Sequence, residues 1–540
     1  MADSTQARET EPLLPTNNGG GVSATADDER RARICRALPY GAVTLVFFVI
    51  GVVLLIVLVE PHNADPPTNS PHDTPLANQL RTPAVFGHLQ QLYQVALKHN
   101  NSRSVRNGYL ASAEYVQNQL KAKAADFCEV STQEFKVPVW QQLEEPQLLS
   151  FGIGGADVQI VYQNKVDFQN FRYGGPSAVL KKQAIHGVKN FGCNSKDHAK
   201  VSGKIAIIQE SLKDCDLWTA AYNAEKAGAV GVLFYNSPTR KALLYSRIRL
   251  TAWKEGDPLI SIPVLSITHS LGSTLLQNQQ AVHLSLTTKN LQTIESTINV
   301  LCTTVKQGNP DDTIVIGAHL DSVPEGPGMV DNGSGSSAIL EIVLTMARNK
   351  FEIRNRIVFG WWGAEEIGLL GSRHYVRDLV KQGEKVKGRI AMNMNFDMLA
   401  SPNYVPYIHN GTTAPDALIP ASSRIDRVLV EYFDLHNRDY EYTEMIAGSD
   451  FLPFLLEGIP SGGLLTGAGE RKTMEQRTRF GGYANAPLDP CYHQSCDTLE
   501  NVSSRALGLM SQAALYAITK LSTAKNLREW LSGAAVEVLM

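Results

Sequence analysis

The stretch GAHLDSVPEGPGMVDNGSGSS, residues 317–337, decides the fold of this chain. An apolar, β-branched run at residues 313–316 precedes it and predicts a buried strand, and small residues from Gly335 onward predict the start of a helix. Between them lie His319, Asp321 and Asp331, among glycines that let the backbone turn sharply beside an ion. We therefore interpret the stretch as half of a metal site.

Strand-like and helix-like runs alternate after about residue 296, which predicts an α/β fold with a mostly parallel mixed sheet and helices on both faces. The predicted strands are 313–318, 356–362, 389–396 and one near 462–465, and the predicted helices are 335–348, 367–380 and 503–521. Ligands of such sheets bind beyond the carboxyl ends of the strands. The residues that follow these strand ends are His319, Glu365, Glu366 and Asp397.

The nitrogen and oxygen ligands available for a metal are His319, Asp331, Glu366, Asp397 and His493. A set without cysteine suits catalytic zinc better than a structural zinc site. A pair of ions about 3.5–4 Å apart needs a shared carboxylate. Asp331 fits that position because it is short and lies among glycines. Each of two Zn²⁺ ions would then take one further histidine and one further carboxylate.

Two acidic residues beside these ligands suggest supporting roles. Asp321 can accept the second N–H of the His319 imidazole and fix its tautomer. Glu365 is adjacent to Glu366, so one side chain can bind metal while the other faces the substrate water. Each signal has a structural alternative, since tandem glutamates favour helix starts and aspartates favour turns. Their combination at strand ends favours the two-metal interpretation.

Several segments of the second half carry a resemblance to a known family. GAHLDSV, GPGMVDNGSGSSAILE, WWGAEEIGLLGS, NFDMLASPN and CYHQSCDTLEN closely resemble the co-catalytic dizinc aminopeptidases. The nearest branch is that of secreted bacterial and fungal aminopeptidases and vacuolar aminopeptidase Y, and the resemblance covers about residues 300–505. It implies a metallo-aminopeptidase, a hydrolase acting on peptides with a free N-terminus. The implied ligands are His319 and Asp397 for one zinc, Glu366 and His493 for the other, and Asp331 as the bridge.

The same resemblance implies roles beyond metal binding. Glu365 is expected to be the general base for a bridging water, and Tyr492 to steady the developing oxyanion. The peptide bond after Asp331 is expected to be cis. The expected substrate pocket contains Met398 and Leu465, which favours an apolar first residue such as Leu. Residues 447–450 read AGSD where relatives read Gly-Arg-Ser-Asp, so an arginine that serves substrate or product contacts is missing.

Residues 150–292 carry a second resemblance. KIAII at 204–208, Cys215 and YNAEKAGAVGV at 222–232 are similar to a protease-associated domain, a module found inside or beside many peptidases. An unrelated α/β insert is the alternative. The resemblance implies a smaller, β-rich domain inserted into a catalytic domain that consists of residues 81–149 and 293–525.

The N-terminal residues predict a single-pass membrane protein. Residues 1–40 lack apolar periodicity and are predicted to be a disordered cytosolic tail. Residues 41–59, GAVTLVFFVIGVVLLIVLV, are uncharged and predict a transmembrane signal-anchor helix. Arginines crowd its N-terminal side, which predicts type II topology with the rest of the chain in the lumen. The Pro-rich residues 60–80 are predicted to be a luminal stalk.

The tail also suggests a destination. Glu9 to Leu14, ETEPLL, resemble an acidic dileucine signal that a sorting adaptor would bind, and a tail without such a function is the alternative. We therefore expect a vacuolar or lysosomal membrane with a luminal catalytic domain. Cleavage in the stalk would instead release the catalytic part, and a cell-surface location stays open.

A luminal location also predicts covalent modifications. Of the seven cysteines, Cys35 lies on the cytosolic side and the other six lie in an oxidising compartment. Proximity and strand-like surroundings favour the pairs Cys193–Cys215, Cys491–Cys496 and Cys128–Cys302. Sequons predict glycosylation at Asn100, Asn410 and Asn501, whereas the sequon at Asn332 lies beside a predicted ligand and should be inaccessible.

Other functions fit the sequence less well. The net charge of −3 gives no basis for a nucleic-acid partner, and no G-x-S-x-G nucleophile elbow is present. A type II membrane carboxypeptidase of the glutamate carboxypeptidase type is one alternative, but it requires a long helical C-terminal domain, and only residues 494–540 follow His493. A non-catalytic receptor of the same fold is the other, and it predicts missing metal ligands.

Overall fold

The structure is a computed structural model, and it describes residues 76–211, 215–240, 253–445 and 448–533. These ranges belong to a compact unit, Asn69–Met540. The predicted cytosolic tail, the predicted transmembrane helix and residues 60–75 of the predicted stalk lie outside them. Within the described ranges, none of the helices combines the length and apolar character needed to cross a membrane.

The α-helices include one-turn and longer elements. They are α1 (Thr82–Lys98), α2 (Tyr109–Lys123), α3 (Leu217–Lys226), α4 (His269–Gln277), α5 (Gly335–Arg348), α6 (Glu365–Gly368), α7 (Leu370–Lys381), α8 (Glu384–Lys387), α9 (Ile419–Leu435), α10 (Leu452–Leu456), α11 (Met474–Phe480), α12 (Ser504–Thr523) and α13 (Leu527–Ser532). Predicted helix 335–348 coincides with α5, whereas predicted helix 367–380 is divided between α6 and α7.

The strands form one extended sheet system. They are β1 (Glu129–Gly152), β2 (Gly155–Val161), β3 (Phe168–Asn170), β4 (Ala178–Val188), β5 (Ile205–Gln209), β6 (Gly231–Tyr235), β7 (Val264–Ile267), β8 (His283–Thr303), β9 (Asn309–His319), β10 (Asn355–Trp362), β11 (Ile390–Phe396), β12 (Tyr407–Asn410), β13 (Glu441–Glu444) and β14 (Ser461–Leu465). Their order is β13-β12-β14-β11-β9-β10-β8-β4-β5-β6-β7-β3. The neighbours β14, β11, β9 and β10 are parallel, as predicted.

Helices cover both faces of the central strands. On β9, Ile314 and Ile316 are buried in the core on one face, and Val315 is buried on the other, because successive side chains of a strand alternate. Trp361 and Trp362, at the end of β10, divide between the two faces in the same way. The first face packs against α1, α2, α5, α9 and α12, and the second against α7 and α10. Each buried side chain of this size contributes about 1.5–3 kcal/mol, so the strand ends are firmly held.

A long antiparallel pair connects the central sheet to the insert. β1 and β8 pair from Glu129 opposite Thr303 to Phe151 opposite His283, with irregularities between Gln142 and Gln147. The boundary predicted between residues 292 and 293 lies inside β8, so the two parts of the chain share this strand. The sequence did not reveal it because the bulges interrupt the two-residue alternation that marks a strand.

The insert has its own sheet and core. β4, β5, β6 and β7 are parallel neighbours, and β3 is antiparallel to β7. Side chains of β5 alternate between two small cores, with Ala206 and Ile208 in one and Ile205 and Ile207 in the other. The insert therefore folds as a smaller, β-rich module with its own core, as the sequence predicts.

The three predicted disulfides are present. Cys128–Cys302, Cys193–Cys215 and Cys491–Cys496 have Cα–Cα separations of 5.4, 5.6 and 5.3 Å. The first joins the residue before β1 to β8, and the last closes the short loop that contains His493.

The structure contradicts the glycosylation predicted at Asn501. Its side-chain amide nitrogen, the atom that a glycan would modify, donates hydrogen bonds to Asp489 Oδ1 at 2.9 Å and Asp497 Oδ1 at 3.1 Å. The residue is only 7% exposed. Asn100 is exposed and Asn410 partly so, and glycosylation at these two sites stays a prediction.

Candidate metal centre

The predicted ligands come from loops at one edge of the central sheet. His319 is the last residue of β9, Asp397 directly follows β11, and Glu366 lies in the one-turn helix α6 after β10. Asp331 lies in the turn before α5, and its peptide bond to Asn332 is cis, as the resemblance implies. The structure thus brings together residues that are far apart in the chain.

The carboxylate of Asp331 lies between two imidazoles. Its Oδ1 is 3.2 Å from His319 Nε2, and its Oδ2 is 3.0 Å from His493 Nε2. Asp397 Oδ1 lies 3.3 Å from His319 Nε2, and Glu366 Oε2 lies 3.2 Å from His493 Nε2. Two three-residue groups result, each with one histidine and two carboxylates, and Asp331 belongs to both.

This donor set fits a pair of zinc ions. Within each group the candidate ligand atoms lie within 4.8 Å of one another, so that one ion can contact all three. Asp397 Oδ1 is buried and has no hydrogen-bond donor among the described residues. Its partner Oδ2 accepts a hydrogen bond from the Ser449 hydroxyl at 2.6 Å. A buried carboxylate oxygen without a partner destabilises the fold, and a cation bound beside it would remove that cost.

Burial and neighbouring charges perturb the acids and bases of the site. Burial opposes ionisation of Asp331, but hydrogen bonds from His319 and His493 outweigh it and lower the pKa of its carboxyl group. Burial also disfavours the His493 imidazolium, while the carboxylates of Glu366 and Asp331 raise its pKa to about 11. Positive charge is therefore strongly favoured at the position between the carboxylates.

Glu365 differs from the ligands. Burial, helped by the negative charges of Asp450 and Glu366, raises the pKa of the Glu365 carboxyl group well above its usual range. The side chain lines the same cavity as the two histidines. A carboxylate with a raised pKa at this position is suited to accept and return a proton.

The predicted role of Asp321 needs correction. Its carboxylate Oδ1 is 3.6 Å from His319 Nδ1, too far for a hydrogen bond, and the backbone oxygen of Asp321 is nearer at 3.2 Å. The carboxylate instead accepts the backbone N–H groups of Glu365 at 3.1 Å and Glu366 at 3.3 Å. Asp321 therefore positions the start of α6, where backbone N–H groups have no partner within the helix.

The geometry of α6 also explains the divided helix. Ala364 and Leu369, which flank this single turn, both have left-handed backbone angles, with φ of 61° and 60°. Such angles are uncommon for residues other than glycine and interrupt a regular helix. The Asp321 carboxylate holds the turn in place, with Glu366 near His493 and Glu365 on the cavity wall.

Tyr492 lies against one of the imidazoles. Its ring stacks on the His493 ring with a centroid separation of 3.8 Å and an interplanar angle of 25°. Burial and the surrounding carboxylates raise the pKa of its hydroxyl, so the group stays protonated and able to donate a hydrogen bond.

A cavity of about 330 Å³ opens over the centre. The predicted pocket residues Met398 and Leu465 line it, together with Phe451 and Leu452. Gly448, at the position where the resemblance implies an arginine, is also in the wall. The cavity thus has an apolar side and a side formed by the acids and histidines.

Sequence reasoning missed three residues that support the centre. Ser449 orients Asp397, and Asp497 accepts the backbone N–H groups of Val330 at 2.9 Å and Asp331 at 3.1 Å. Arg103 is fully buried and donates to the backbone oxygens of residues 320, 327 and 328. Serines, aspartates and arginines in loops are common, so nothing in one sequence distinguishes these residues from exposed ones.

The chain resembles known proteins over most of its described length. The sequence profile of peptidase family M28 matches residues 299–518, and that of the PA domain matches residues 178–275. An aminopeptidase of Pseudomonas aeruginosa is 34% identical over 457 residues, which are 82% of this chain and 81% of the relative. Leucine aminopeptidase 2 of Trichophyton rubrum is 29% identical over 452 residues, covering 82% and 85% of the two chains.

Solved structures show the same fold. The aminopeptidase from Aneurinibacillus sp. strain AM-1 superposes with a TM-score of 0.62 at 22% identity, covering 84% of this chain and 96% of the other. BSAP, a zinc aminopeptidase from Bacillus subtilis, superposes with a TM-score of 0.53 at 23% identity, covering 82% and 96%. The chain therefore belongs to peptidase family M28, contains a PA domain, and is a metallo-aminopeptidase.

Proposed function

We propose that the protein uses two zinc ions to remove apolar N-terminal residues, such as Leu, from peptides. The observation that carries the proposal is the carboxylate of Asp331, whose two oxygens each lie near a different histidine. One relative is named a leucine aminopeptidase and one structural neighbour a zinc aminopeptidase, which supports both parts of the proposal. The apolar wall with Met398 and Leu465 fits a Leu-like side chain.

Different residues of the chain have different roles in the reaction. When bound, zinc ions lower the pKa of a water molecule toward neutrality and polarise the scissile carbonyl group. The Glu365 carboxylate takes a proton from the attacking water and returns it to the leaving amine. The Tyr492 hydroxyl donates a hydrogen bond to the carbonyl oxygen as negative charge develops there. Asp397 and Glu365 make one end of the cavity acidic, which favours a protonated α-amino group.

Two alternatives from the sequence have less support. A receptor of the same fold would have lost ligands, whereas both groups of three donors are complete here. A carboxypeptidase of the glutamate carboxypeptidase type would bind the negatively charged C-terminus of its substrate, and the acids over the metal centre disfavour a carboxylate there. An aminopeptidase agrees with both observations.

We also propose that the chain is a type II membrane glycoprotein of the vacuole or lysosome. The apolar residues 41–59, the arginines before them and the ETEPLL segment support this location. Removal of residues 41–59 should leave a soluble protein that does not enter the secretory pathway, whereas their replacement by a cleavable signal peptide should give a soluble, secreted protein. Alanines at Leu13 and Leu14 should redirect the full chain to the cell surface, and unchanged vacuolar or lysosomal delivery would contradict the sorting proposal.

Hydrolysis of leucyl-anilide by the full-length protein tests the catalytic proposal. We expect cleavage of leucyl-anilide and no cleavage of N-acetyl-leucyl-anilide, because the blocked amine loses its charge. A chelator should abolish the activity and added Zn²⁺ should restore it. Equal cleavage of the blocked substrate, or full activity after complete metal removal, would contradict the proposal.

A further inference from the structure

A second cavity lies where the PA insert meets the catalytic part. It has a volume of about 390 Å³ and shares Glu366 and Ile367 with the wall of the cavity over the metal centre. Its other walls come from β1, from the loop between α1 and α2, from residues 321–324 after β9, and from the segment of the insert that contains Arg172. The two cavities are therefore neighbours that share part of α6 as a common wall.

The second cavity carries positive charge that the first does not. Arg106 and Arg172 are both in its wall. Among the described residues, the wall of the cavity over the metal centre contains no lysine or arginine. Among the described residues that line the two cavities, the arginines that could bind an anionic part of a substrate are therefore those of the second cavity.

The loop that carries Arg106 is fixed by buried contacts. Arg103 donates to three backbone oxygens of the 320–328 loop, and its own N–H donates to Ser322 Oγ at 2.9 Å. The Ser102 hydroxyl donates to the Val323 oxygen at 3.0 Å. Because this loop is anchored next to the metal-binding loop, Arg106 projects from a rigid support.

The two arginines differ in their partners. The Arg172 side chain forms an ion pair with Glu325, which joins the insert to the loop after β9. Arg106 is exposed and makes no ion pair within the described ranges. The acids of this cavity are already engaged, since the Asp321 carboxylate accepts two backbone N–H groups and Glu366 faces His493. Arg106 is thus available to a ligand.

The direction of a bound peptide follows from the proposed function, on which this inference rests. In that function the first side chain occupies the part of the cavity lined by Met398 and Leu465, and the amine faces Asp397 in the same wall. Because Glu366 and Ile367 line both cavities, we infer that residues after the scissile bond pass this shared wall into the second cavity. An extended residue spans about 3.3–3.6 Å, so a short peptide brings its C-terminus into this cavity within a few residues.

We propose that the second cavity binds the downstream part of a short peptide and that Arg106 binds a carboxylate of that part. A planar guanidinium matches a carboxylate with two parallel hydrogen bonds. The carboxylate is either the C-terminus of the peptide or an acidic side chain. The site therefore favours short peptides with a free C-terminus over long chains or amidated ones.

Matched substrates test the inference with the full-length protein. We expect kcat/KM for Leu-Ala, Leu-Ala-Ala and Leu-Ala-Ala-Ala as free acids to exceed that of the corresponding amides by about fivefold to tenfold at the favoured length. The preference should peak at one length because the Arg106 loop is fixed. The difference should appear mainly in KM, since the contact is the same in the ground state and the transition state. Leu-Ala-Glu-amide distinguishes an acidic side chain from a C-terminal carboxylate.

Arg106→Gln should remove the preference for free acids and leave the rate on leucyl-anilide unchanged. Arg505→Gln, at an exposed arginine of α12 outside both cavities, is the matched control and should retain the preference. Equal rates on acids and amides at every length, or a preference that survives Arg106→Gln, would overturn the inference.

A binding measurement tests the role of Arg106 independently of the proposed catalytic function. N-acetyl-Ala-Ala should bind more tightly than its amide in calorimetry, and Arg106→Gln should abolish the difference, even in a preparation that hydrolyses nothing. Failure on leucyl-anilide would overturn the proposed function alone, whereas equal binding of the acid and the amide would overturn the role of Arg106.

Discussion

The hydroxyl of Ser449 donates a hydrogen bond to Asp397 Oδ2 at 2.6 Å. Asn395 Nδ2 donates to Ser449 Oγ at 2.7 Å, which leaves the serine hydrogen for Asp397. Oδ1 of the same carboxylate is thereby directed toward His319, at 3.3 Å from its Nε2. A residue that does not touch the metal thus selects the carboxylate oxygen that can bind it.

Removing the Ser449 hydroxyl should weaken metal binding. Losing such a partner of a ligand typically costs about 10–100-fold in metal affinity, and we expect a loss of that size for Ser449→Ala. Competition with a chelator of known zinc affinity measures it. Ser504→Ala, at an exposed serine of α12, is the control and should bind zinc like the unmodified protein. Unchanged affinity in Ser449→Ala would contradict the role of this hydrogen bond.

Glu365→Gln should separate catalysis from metal binding. Loss of a general base typically costs about 100- to 10,000-fold in rate, so we expect kcat on leucyl-anilide to fall by that factor. The zinc content should not change, because Glu365 belongs to neither group of ligands. Glu475→Gln, at an exposed glutamate of α11, should retain full activity. A Glu365→Gln protein with the normal rate would remove the base assignment.

The pH dependence of kcat/KM should report the raised pKa of Glu365. The base acts only when ionised, so activity is full above its pKa and falls as the pH drops through it. Because burial raises this pKa well above the usual range, the acid limb should lie above the ordinary value for glutamate of about 4.3. A profile on leucyl-anilide checks this, and a limb centred at or below pH 4 would be evidence against Glu365 as the base.

Arg103→Met should destabilise the fold. The substitution leaves backbone oxygens of the 320–328 loop buried without their donor, and each buried acceptor left unsatisfied typically costs about 1–3 kcal/mol of stability. Urea unfolding of the full chain measures the change, and Arg505→Met serves as the exposed control. A loss below about 1 kcal/mol would show that water or a shifted loop replaces the guanidinium.

Much of the fold and the ligand set could be predicted because both follow from local patterns. Runs of apolar residues in the sequence indicate the buried strands. His319 and Asp397 lie at or directly after strand ends, where ligands of a parallel sheet bind. The sequence predicts helix 335–348 with its observed bounds because apolar residues recur at helical spacing after small ones. These signals lie within single segments of the chain.

Features that depend on distant contacts could not be predicted in the same way. The break at Leu369 arises because the Asp321 carboxylate holds the turn before it, across a separation of 44 residues. Asn501 matches a glycosylation sequon, yet its side-chain amide donates hydrogen bonds to two buried aspartates. The structural roles of Arg103 and Ser449 depend on contacts with residues far along the sequence.

Zinc analysis of the purified, active full-length protein tests the central claim most directly. The shared carboxylate of Asp331 predicts two zinc ions per chain, with activity rising as the metal-free protein is titrated with Zn²⁺. Asp331→Ala should lower the zinc content and abolish activity, whereas Ser504→Ala should change neither. Full activity at one zinc per chain or fewer, or an Asp331→Ala protein that keeps two, would contradict the bridged centre.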